Sequence, residues 1–413
     1  MSKQTFVIVG ASLAGAKAAE ELRVRGFDGR IVLIGSEQDR PYERPPLSKD
    51  YLRGESEREK ARVHEDGFYE RQQIELVAGR TAVRLDPGAR EVTLDDGRSV
   101  GYDKLLLTTG AEPRHLSVPG ADLDGTHYLR TLADSEALRQ RLKGGGRVAV
   151  VGAGWIDSEV AASARQKGLE VTQIDPLPLP NERIFGQEIG SFYRDAHAQH
   201  GVSLALGDGV EAFEGDGHLA AVRTSTGRTV ECDFAVVGIG VAPRVQLAVE
   251  AGVEVENGIV VDEKLESSAP NVFAAGDVAN AWHPFYQRRI RVEHWANALN
   301  QGPAAARAMI GEPVSYDRIP YFFSDQYDVG MEYSGFATEW DEVVFRGDRA
   351  GGEFIAFWLK DGRVLAGMNV NVWDVNDEVQ ALIRSGQQVD VGALRDPATP
   401  LDTLTAGVTA RGQ

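Results

Sequence analysis

The sequence predicts an α/β fold: two Rossmann-like dinucleotide-binding domains plus a C-terminal α+β domain. Three observations carry that expectation. Two strand–glycine turn–helix units stand far apart in the chain, and at 413 residues the chain is too long for one hydrophobic core. Its last quarter also alternates apolar and polar residues as strands do.

The first unit is the apolar run Phe6–Val9, the turn Gly10-Ala11-Ser12-Leu13-Ala14-Gly15 and an alanine-rich helical pattern. The second is Arg147–Val151 followed by Gly152-Ala153-Gly154-Trp155-Ile156-Asp157. In such a unit the first glycine makes the tight turn, the second lets backbone approach a pyrophosphate, and the third lets helix pack on strand. The helix start adds free N–H groups and partial positive charge. Each unit departs from the fingerprint once, with Ser12 at the second glycine position of one and Asp157 at the third of the other.

Acids follow the next strand in both units: Ser36-Glu37 after Arg30–Ile34, and Asp175 after Leu169–Ile174. A carboxylate there accepts hydrogen bonds from ribose hydroxyls and repels a 2′-phosphate. Asp175 therefore favours NADH over NADPH, and Pro176–Pro180 holds no arginine to reverse the choice; Arg183, slightly further on, is the residue that could. Two dinucleotide sites on one chain point to a nicotinamide–flavin pair, with a hydride passing between the rings. Asp157, Ser158 and Gln173 are out of character for the second unit. An aspartate at the third glycine position should make the helix stand off, tilt or turn the side chain outward. Its charge should alter or weaken coenzyme binding.

Composition removes several functions. Acidic residues outnumber basic ones, 62 to 44, for a net charge of −18, which argues against nonspecific nucleic-acid binding. A single cysteine, Cys232, cannot form the dithiol pair of a disulfide relay unless a second subunit contributes; it reads as an inert core residue opening the strand Cys232–Val237. No apolar run is long enough to span a membrane, and strand Phe6–Val9 begins without a secretory signal before it. The expected location is the cytoplasm. The histidines show no metal-ligand spacing, with His197 and His200 reading as a solvated helix end, and no G-x-S-x-G elbow supports acyl transfer.

Further motifs run through the rest of the chain. They are Arg44-Pro45-Pro46-Leu47-Ser48-Lys49, Tyr102–Gly110, Tyr128-Leu129-Arg130-Thr131, Val237-Gly238-Ile239-Gly240, Ala274–Ala279, Glu293-His294-Trp295 and Ser324-Asp325-Gln326-Tyr327. In this order the chain resembles the FAD-dependent ferredoxin reductase family, whose members include the putidaredoxin, rubredoxin and aromatic-dioxygenase ferredoxin reductases and the apoptosis-inducing factors. The resemblance implies a flavin domain split into residues 1–111 and 245–322, a nicotinamide domain at 112–244 and a C-terminal domain at 323–413. The last reads as strands Asp341–Arg346, Glu353–Leu359 and Arg363–Met368 followed by helical Val375–Arg384.

The resemblance also implies roles. Lys49 would lie beside flavin N5 and pair with Glu159, where a cation stabilises the reduced ring; by its residues alone Lys49 reads as a solvated helix-start residue. FAD would be held at Gly10, Ser12, Leu13, Ala14, Gly15, Ser36, Glu37, Arg44, Val83, Thr109, Gly110, Arg130, Gly276, Asp277, Glu293, His294 and Trp295. The nicotinamide coenzyme would be held at Gly152, Gly154, Trp155, Ile156, Asp157, Asp175, Arg183, Gly238, Ile239 and Gly240. Arg130 reads equally as a surface ion-pair residue, Asp277 as a helix N-cap and Trp295 as core. The implied activity is NADH reduction of FAD, which returns electrons singly to a small iron–sulfur carrier, a two-iron ferredoxin or rubredoxin. A redox-sensing association protein and an NADH oxidase remain open beside it. Arg288, Arg289 and Arg291 form a basic cluster that could dock such a carrier or be plain solvated surface.

Overall fold

The computed structural model describes residues 3–406. Two compact units emerge. The first comprises Met1–Arg44, Glu57–Glu112 and Val241–Pro320; the second comprises Pro45–Ser56, Pro113–Gly240 and Tyr321–Gln413.

In the first unit a five-stranded parallel sheet runs in the order Val272–Ala274, Lys104–Leu107, Thr5–Val9, Arg30–Gly35, Ile74–Ala78. The central strands are continuous apolar runs because both faces are covered: Val7, Ile8, Val32, Leu33, Leu105 and Leu106 are all fully buried. Helix Leu13–Val24 buries its small-residue face, including Ala16, Ala18, Ala19 and Leu22. It stops at Gly26, whose φ of +79° a residue with a Cβ adopts only at a cost.

The second unit repeats the plan in the order Ser203–Leu206, Glu170–Asp175, Arg147–Val151, Phe234–Val237, Thr126–His127, again all parallel. It also holds a five-stranded antiparallel sheet ordered Tyr321–Gln326, Val329–Gly335, Arg363–Val370, Glu353–Lys360, Glu342–Asp348. Helix Asn376–Ser385 buries Val379, Leu382 and Ile383. Three of these strands and the helix match the sequence expectation; Tyr321–Gln326 and Val329–Gly335 were not anticipated. Trp358, Phe354 and Met368 of this sheet share one core with Phe185, Ile189 and Tyr193 of helix Glu182–Gln199.

Two expectations about single residues need correction. His197 is not solvated: it is fully buried, with Nε2 2.9 Å from Gln326 Oε1 and Nδ1 3.2 Å from Tyr327 Oη. Only His200, whose ring stacks on Tyr327 at 3.7 Å, keeps a half-exposed edge. Cys232 is buried as expected, and burial pushes its thiol up to about 12, although its strand begins later, at Phe234.

Candidate functional site

The two glycine turns are superposable in their bonding. Gly10 N–H donates to Ile34 O and Gly152 N–H to Ile174 O, both at 2.8 Å; Thr108 N–H donates to Val9 O and Gly238 N–H to Val151 O, again at 2.8 Å. Register agrees, because Val9 pairs with Ile34 and Leu107 while Val151 pairs with Ile174 and Val237. Gly10 and Gly152 share a φ of +120°. A Cβ at Gly10 would stand 2.0 Å from Thr108 O, and one at Gly152 2.2 Å from Gly238 O. Both positions therefore demand glycine.

The first turn has the form of an open anion cradle. Ser12 is the N-cap of helix Leu13–Val24, makes no side-chain capping bond, and has no acidic residue in the turn beyond it. Gly15 lies where a Cβ would meet Gly10 O at 2.1 Å, so the third glycine is required as well. Beyond the neighbouring strand, Ser36 is exposed and Glu37 half-buried. Arg44 donates to Glu37 Oε1 at 3.0 Å and Tyr42 Oη donates to the other oxygen. The guanidinium and hydroxyl thereby orient the carboxylate expected at a ribose. The residues present fit a flavin adenine dinucleotide.

Other residues expected around the flavin are distributed as follows. Thr109 Oγ1 donates to Arg244 O at 2.7 Å, and Gly110 has a φ of +69°. Gly276 N–H donates to Gln301 Oε1 at 2.9 Å, at the start of the single 3-10 turn Gly276–Val278. Asp277 lies inside that turn, and the N-cap is Ala275, so the N-cap alternative for Asp277 falls away. His294 is the N-cap of helix Trp295–Met309, and burial pushes its imidazole down to about 4. Glu293 is exposed and pairs with Arg291. Val83 is half-exposed on its strand. Arg130, half-buried, directly precedes helix Leu132–Lys143, whose capping box is made by Thr131 and Asp134.

The arginine cluster is less free than the sequence suggests. Arg291, only 11% exposed, also donates to Asp277 O, and Arg289 donates to Val261 O at 2.6 Å. Arg291 is therefore a structural tie within the first unit and is withdrawn as a docking residue.

Within the second unit, Lys49 and Glu159 meet. Their Nζ and Oε2 are 2.8 Å apart, with the side chains 12% and 5% exposed. The expectation that Lys49 pairs with Glu159 holds, and a solvated lysine is excluded. Ser48 Oγ donates to the same Oε2 at 2.5 Å, and Ser324 Oγ donates to Oε1 at 2.7 Å. Lys49 also donates to Pro45 O at 3.3 Å and lies 5.4 Å from the Phe323 ring centroid. Three donors thus fix a buried carboxylate, the condition under which a buried ion pair is tolerated. Sequence reasoning assigned no role to Ser48 or Ser324. Both stand in motifs it had singled out, and that was the available signal.

The second turn is not open. Asp157 does not point outward: the side chain is 5% exposed and lies against Gly238 at the end of the sheet. A Cβ at Gly238 would lie 1.4 Å from its Oδ1, one at Gly152 2.7 Å from Oδ2, and one at Gly154 3.2 Å from Oδ2. The missing Cβ of Gly238 makes the room. Burial raises the Asp157 carboxyl well above the usual carboxylate range; the Gly154 N–H opposes this, while the Asp175 and Glu159 charges add to it. Gln173, fully buried, donates its amide N–H groups to Gly152 O at 3.0 Å and to Ser158 Oγ at 3.3 Å, while its Oε1 has no hydrogen-bond partner among the described residues. Asp175 accepts from Ala153 N–H at 2.7 Å and Leu177 N–H at 2.8 Å, bracing the turn. Burial raises it, while those two N–H groups and the Arg183 cation act the other way. Arg183 is exposed, as are Ile156, Ile239 and Gly240 beside the turn, and Trp155 is half-buried. The two glycines and the strand-end acid fit a nicotinamide dinucleotide; Asp157 is the one residue that does not.

Comparison with known proteins agrees over the whole architecture. Residues 4–302 match the family model described as pyridine nucleotide-disulphide oxidoreductase, and residues 321–405 match the one described as reductase C-terminal. The chain is 40% identical over 408 residues to the anthranilate 1,2-dioxygenase system ferredoxin–NAD(+) reductase component of Burkholderia cepacia, covering 98% of this chain and 100% of that one. It is 39% identical over 368 residues to rhodocoxin reductase of Rhodococcus erythropolis, covering 89% and 86%. The crystal structure of the covalent putidaredoxin reductase–putidaredoxin complex superposes with a TM-score of 0.95 at 34% identity, covering 99% of this chain and 100% of that one.

Proposed function

The chain belongs to the pyridine nucleotide-disulphide oxidoreductase family, and we propose that it is an FAD-dependent NADH:ferredoxin reductase supplying an oxygenase system. The observation that carries this reading is end-to-end similarity to a ferredoxin–NAD(+) reductase component, on a chain whose single cysteine cannot by itself form a dithiol pair. On this reading residues 1–111 and 245–322 are the flavin domain, 112–244 the nicotinamide domain and 323–413 the C-terminal domain. The setting is the cytoplasm; among the described residues no helix is long and apolar enough to cross a membrane.

The first turn, with Gly10, Ser12, Gly15 and Glu37, holds the adenosine diphosphate part of FAD, and the second holds that of NADH. When bound, the flavin accepts a hydride and releases electrons one at a time. The residues do the rest. Glu159, fixed by Ser48 and Ser324, holds the Lys49 ammonium in one place, so a cation is preorganised for the negative charge that arrives with the hydride. The one-electron acceptor is a small iron–sulfur protein, a two-iron ferredoxin before a rubredoxin.

The test is anaerobic flavin bleaching by NADH followed by reoxidation with a panel of ferredoxins, rubredoxin and quinones. Fast bleaching and fast reoxidation by a ferredoxin are expected. A long-lived charge-transfer complex with slow turnover would make the chain a redox sensor, and hydrogen peroxide as the only product would make it an oxidase.

A further inference from the structure

The two turns solve one packing problem in opposite ways. In the first, the wedge between helix start and sheet is filled from the sheet: Thr108 Oγ1 donates to Gly10 O at 2.8 Å, and Gly15 stays bare because a Cβ there would lie 2.1 Å from Gly10 O and 2.9 Å from that hydroxyl. In the second, the residue at the Thr108 register is Gly238, and the wedge is filled from the helix by the Asp157 carboxyl. The carboxyl also reaches the mouth of the turn. Gly154 is the position whose missing Cβ lets a pyrophosphate approach, and that space begins 3.2 Å from Asp157 Oδ2. Gly154 is the N-cap of helix Trp155–Gln166 and Asp157 is its third residue. Their N–H groups are two of the four that a helix start leaves for an anion, and both act on this carboxyl.

We propose that the Asp157 carboxyl is an internal occupant of the coenzyme's phosphate cradle and determines affinity for NADH: its neutral form tolerates the pyrophosphate and its anion excludes it. The proposal rests on NADH being the donor. The charged groups around it are few. Glu159 stands on the same helix with Lys49 as its partner, and Asp175 ends the adjacent strand with the Arg183 cation acting on it. No cation is paired with Asp157 among the described ion pairs, and its two nearest carboxylates favour the protonated form. Burial raises its proton affinity in the same direction. The group is therefore neutral at lower pH and becomes an anion as pH rises, so NADH affinity must fall with rising pH.

The experiment is anaerobic stopped-flow flavin reduction with the FAD-loaded enzyme, fitting the apparent Kd for NADH at successive pH values over the whole range in which flavin content stays constant. Asp157→Asn keeps the volume and removes the titration; flavin content and unfolding temperature check that it is folded. The Kd of the unaltered protein is expected to rise about tenfold or more across this range, while that of Asp157→Asn changes by less than about twofold. Equal pH profiles, or a much weaker Kd for Asp157→Asn at the acid end, overturn the proposal and leave NADH as donor. A flavin that NADH bleaches in neither protein, yet light and a photoreductant bleach in both, removes the NADH reading and the proposal with it.

Discussion

The first glycine turn keeps its anion cradle clear and fills the packing wedge with a neutral threonine; the second fills that wedge with a carboxyl that also enters the cradle. The two share a φ of +120° at the first glycine and two 2.8 Å bonds across the strand ends, and they diverge at the helix start, where φ is −115° at Ser12 and −75° at Gly154. Their side chains differ by a reciprocal exchange of bulk, Thr108 with Gly15 against Gly238 with Asp157. Backbone geometry makes a dinucleotide site possible. The side chain in the wedge decides how strongly that site holds an anion.

The most damaging test of the shared backbone is alanine at the first glycine. Gly10→Ala places a Cβ 2.0 Å from Thr108 O at a positive φ, and flavin content should fall about tenfold or more. Gly152→Ala, with Gly238 O at 2.2 Å, should leave flavin bound and abolish bleaching by NADH. Loss of flavin from both variants would show that the two turns are not independent sites.

The exchange itself is tested by a double-mutant cycle. Gly238→Thr alone drives a Cβ into Asp157 Oδ1 and should cost about 3 kcal/mol in urea unfolding. Asp157→Gly alone leaves the wedge empty and should cost about 1 kcal/mol. Together they recreate the first turn's packing, and the double variant should recover most of the summed loss, giving a coupling of about 3 kcal/mol. Additive losses would break the comparison.

Much of this was legible in the sequence, and the reasons differ by residue. Gly10 and Gly152 read correctly because a positive φ and a close backbone approach leave glycine as the only workable residue. The strands read correctly because a sheet covered on both faces needs continuous apolar runs, and Gln173 stood out against that rule. Lys49 and Glu159 were paired through family resemblance alone; nothing in their spacing joins them. Ser48 and Ser324 escaped because serine is common and they reach Glu159 across 111 and 165 residues. The direction of Asp157 was misjudged because it depends on Gly238, which matters only once strand register gives it the place that Thr108 holds in the first unit. His197 was misjudged because polar chain neighbours suggested solvent, while Gln326 and Tyr327, remote in sequence, cover it.

That buried histidine gives the second unit an acid liability. Burial pushes His197 from 6.5 down to about 4, the Gln326 hydrogen bond opposing and the His200 charge assisting. Between these values the unfolded chain binds the proton and the folded one does not. Stability is therefore intact above about pH 6.5 and declines as pH falls towards about 4, by about 2–3 kcal/mol in all. His197→Gln should flatten this slope in urea unfolding followed at successive pH values. An unchanged slope would assign acid sensitivity elsewhere.

The smallest effect concerns Asp175, which the comparison assigns two tasks. Its counterpart in the first unit by strand register is Gly35, so there the carboxylate comes later, at Glu37, and is held by Arg44 and Tyr42. Asp175 instead ends its strand and accepts the N–H groups of Ala153 and Leu177. Each oxygen takes one of these bonds and keeps a lone pair for a ribose hydroxyl. Asp175→Asn retains an acceptor for one N–H and loses the charge. Stability should fall by about 1 kcal/mol, and the kcat/KM preference for NADH over NADPH should shrink because repulsion of a 2′-phosphate is gone. Adding Arg183→Ala separates the two tasks. Arg183 touches neither N–H group but supplies the nearby cation, so the second change should remove any gain with NADPH and leave stability where Asp175→Asn set it. A preference that survives Asp175→Asn would confine this carboxylate to bracing the turn.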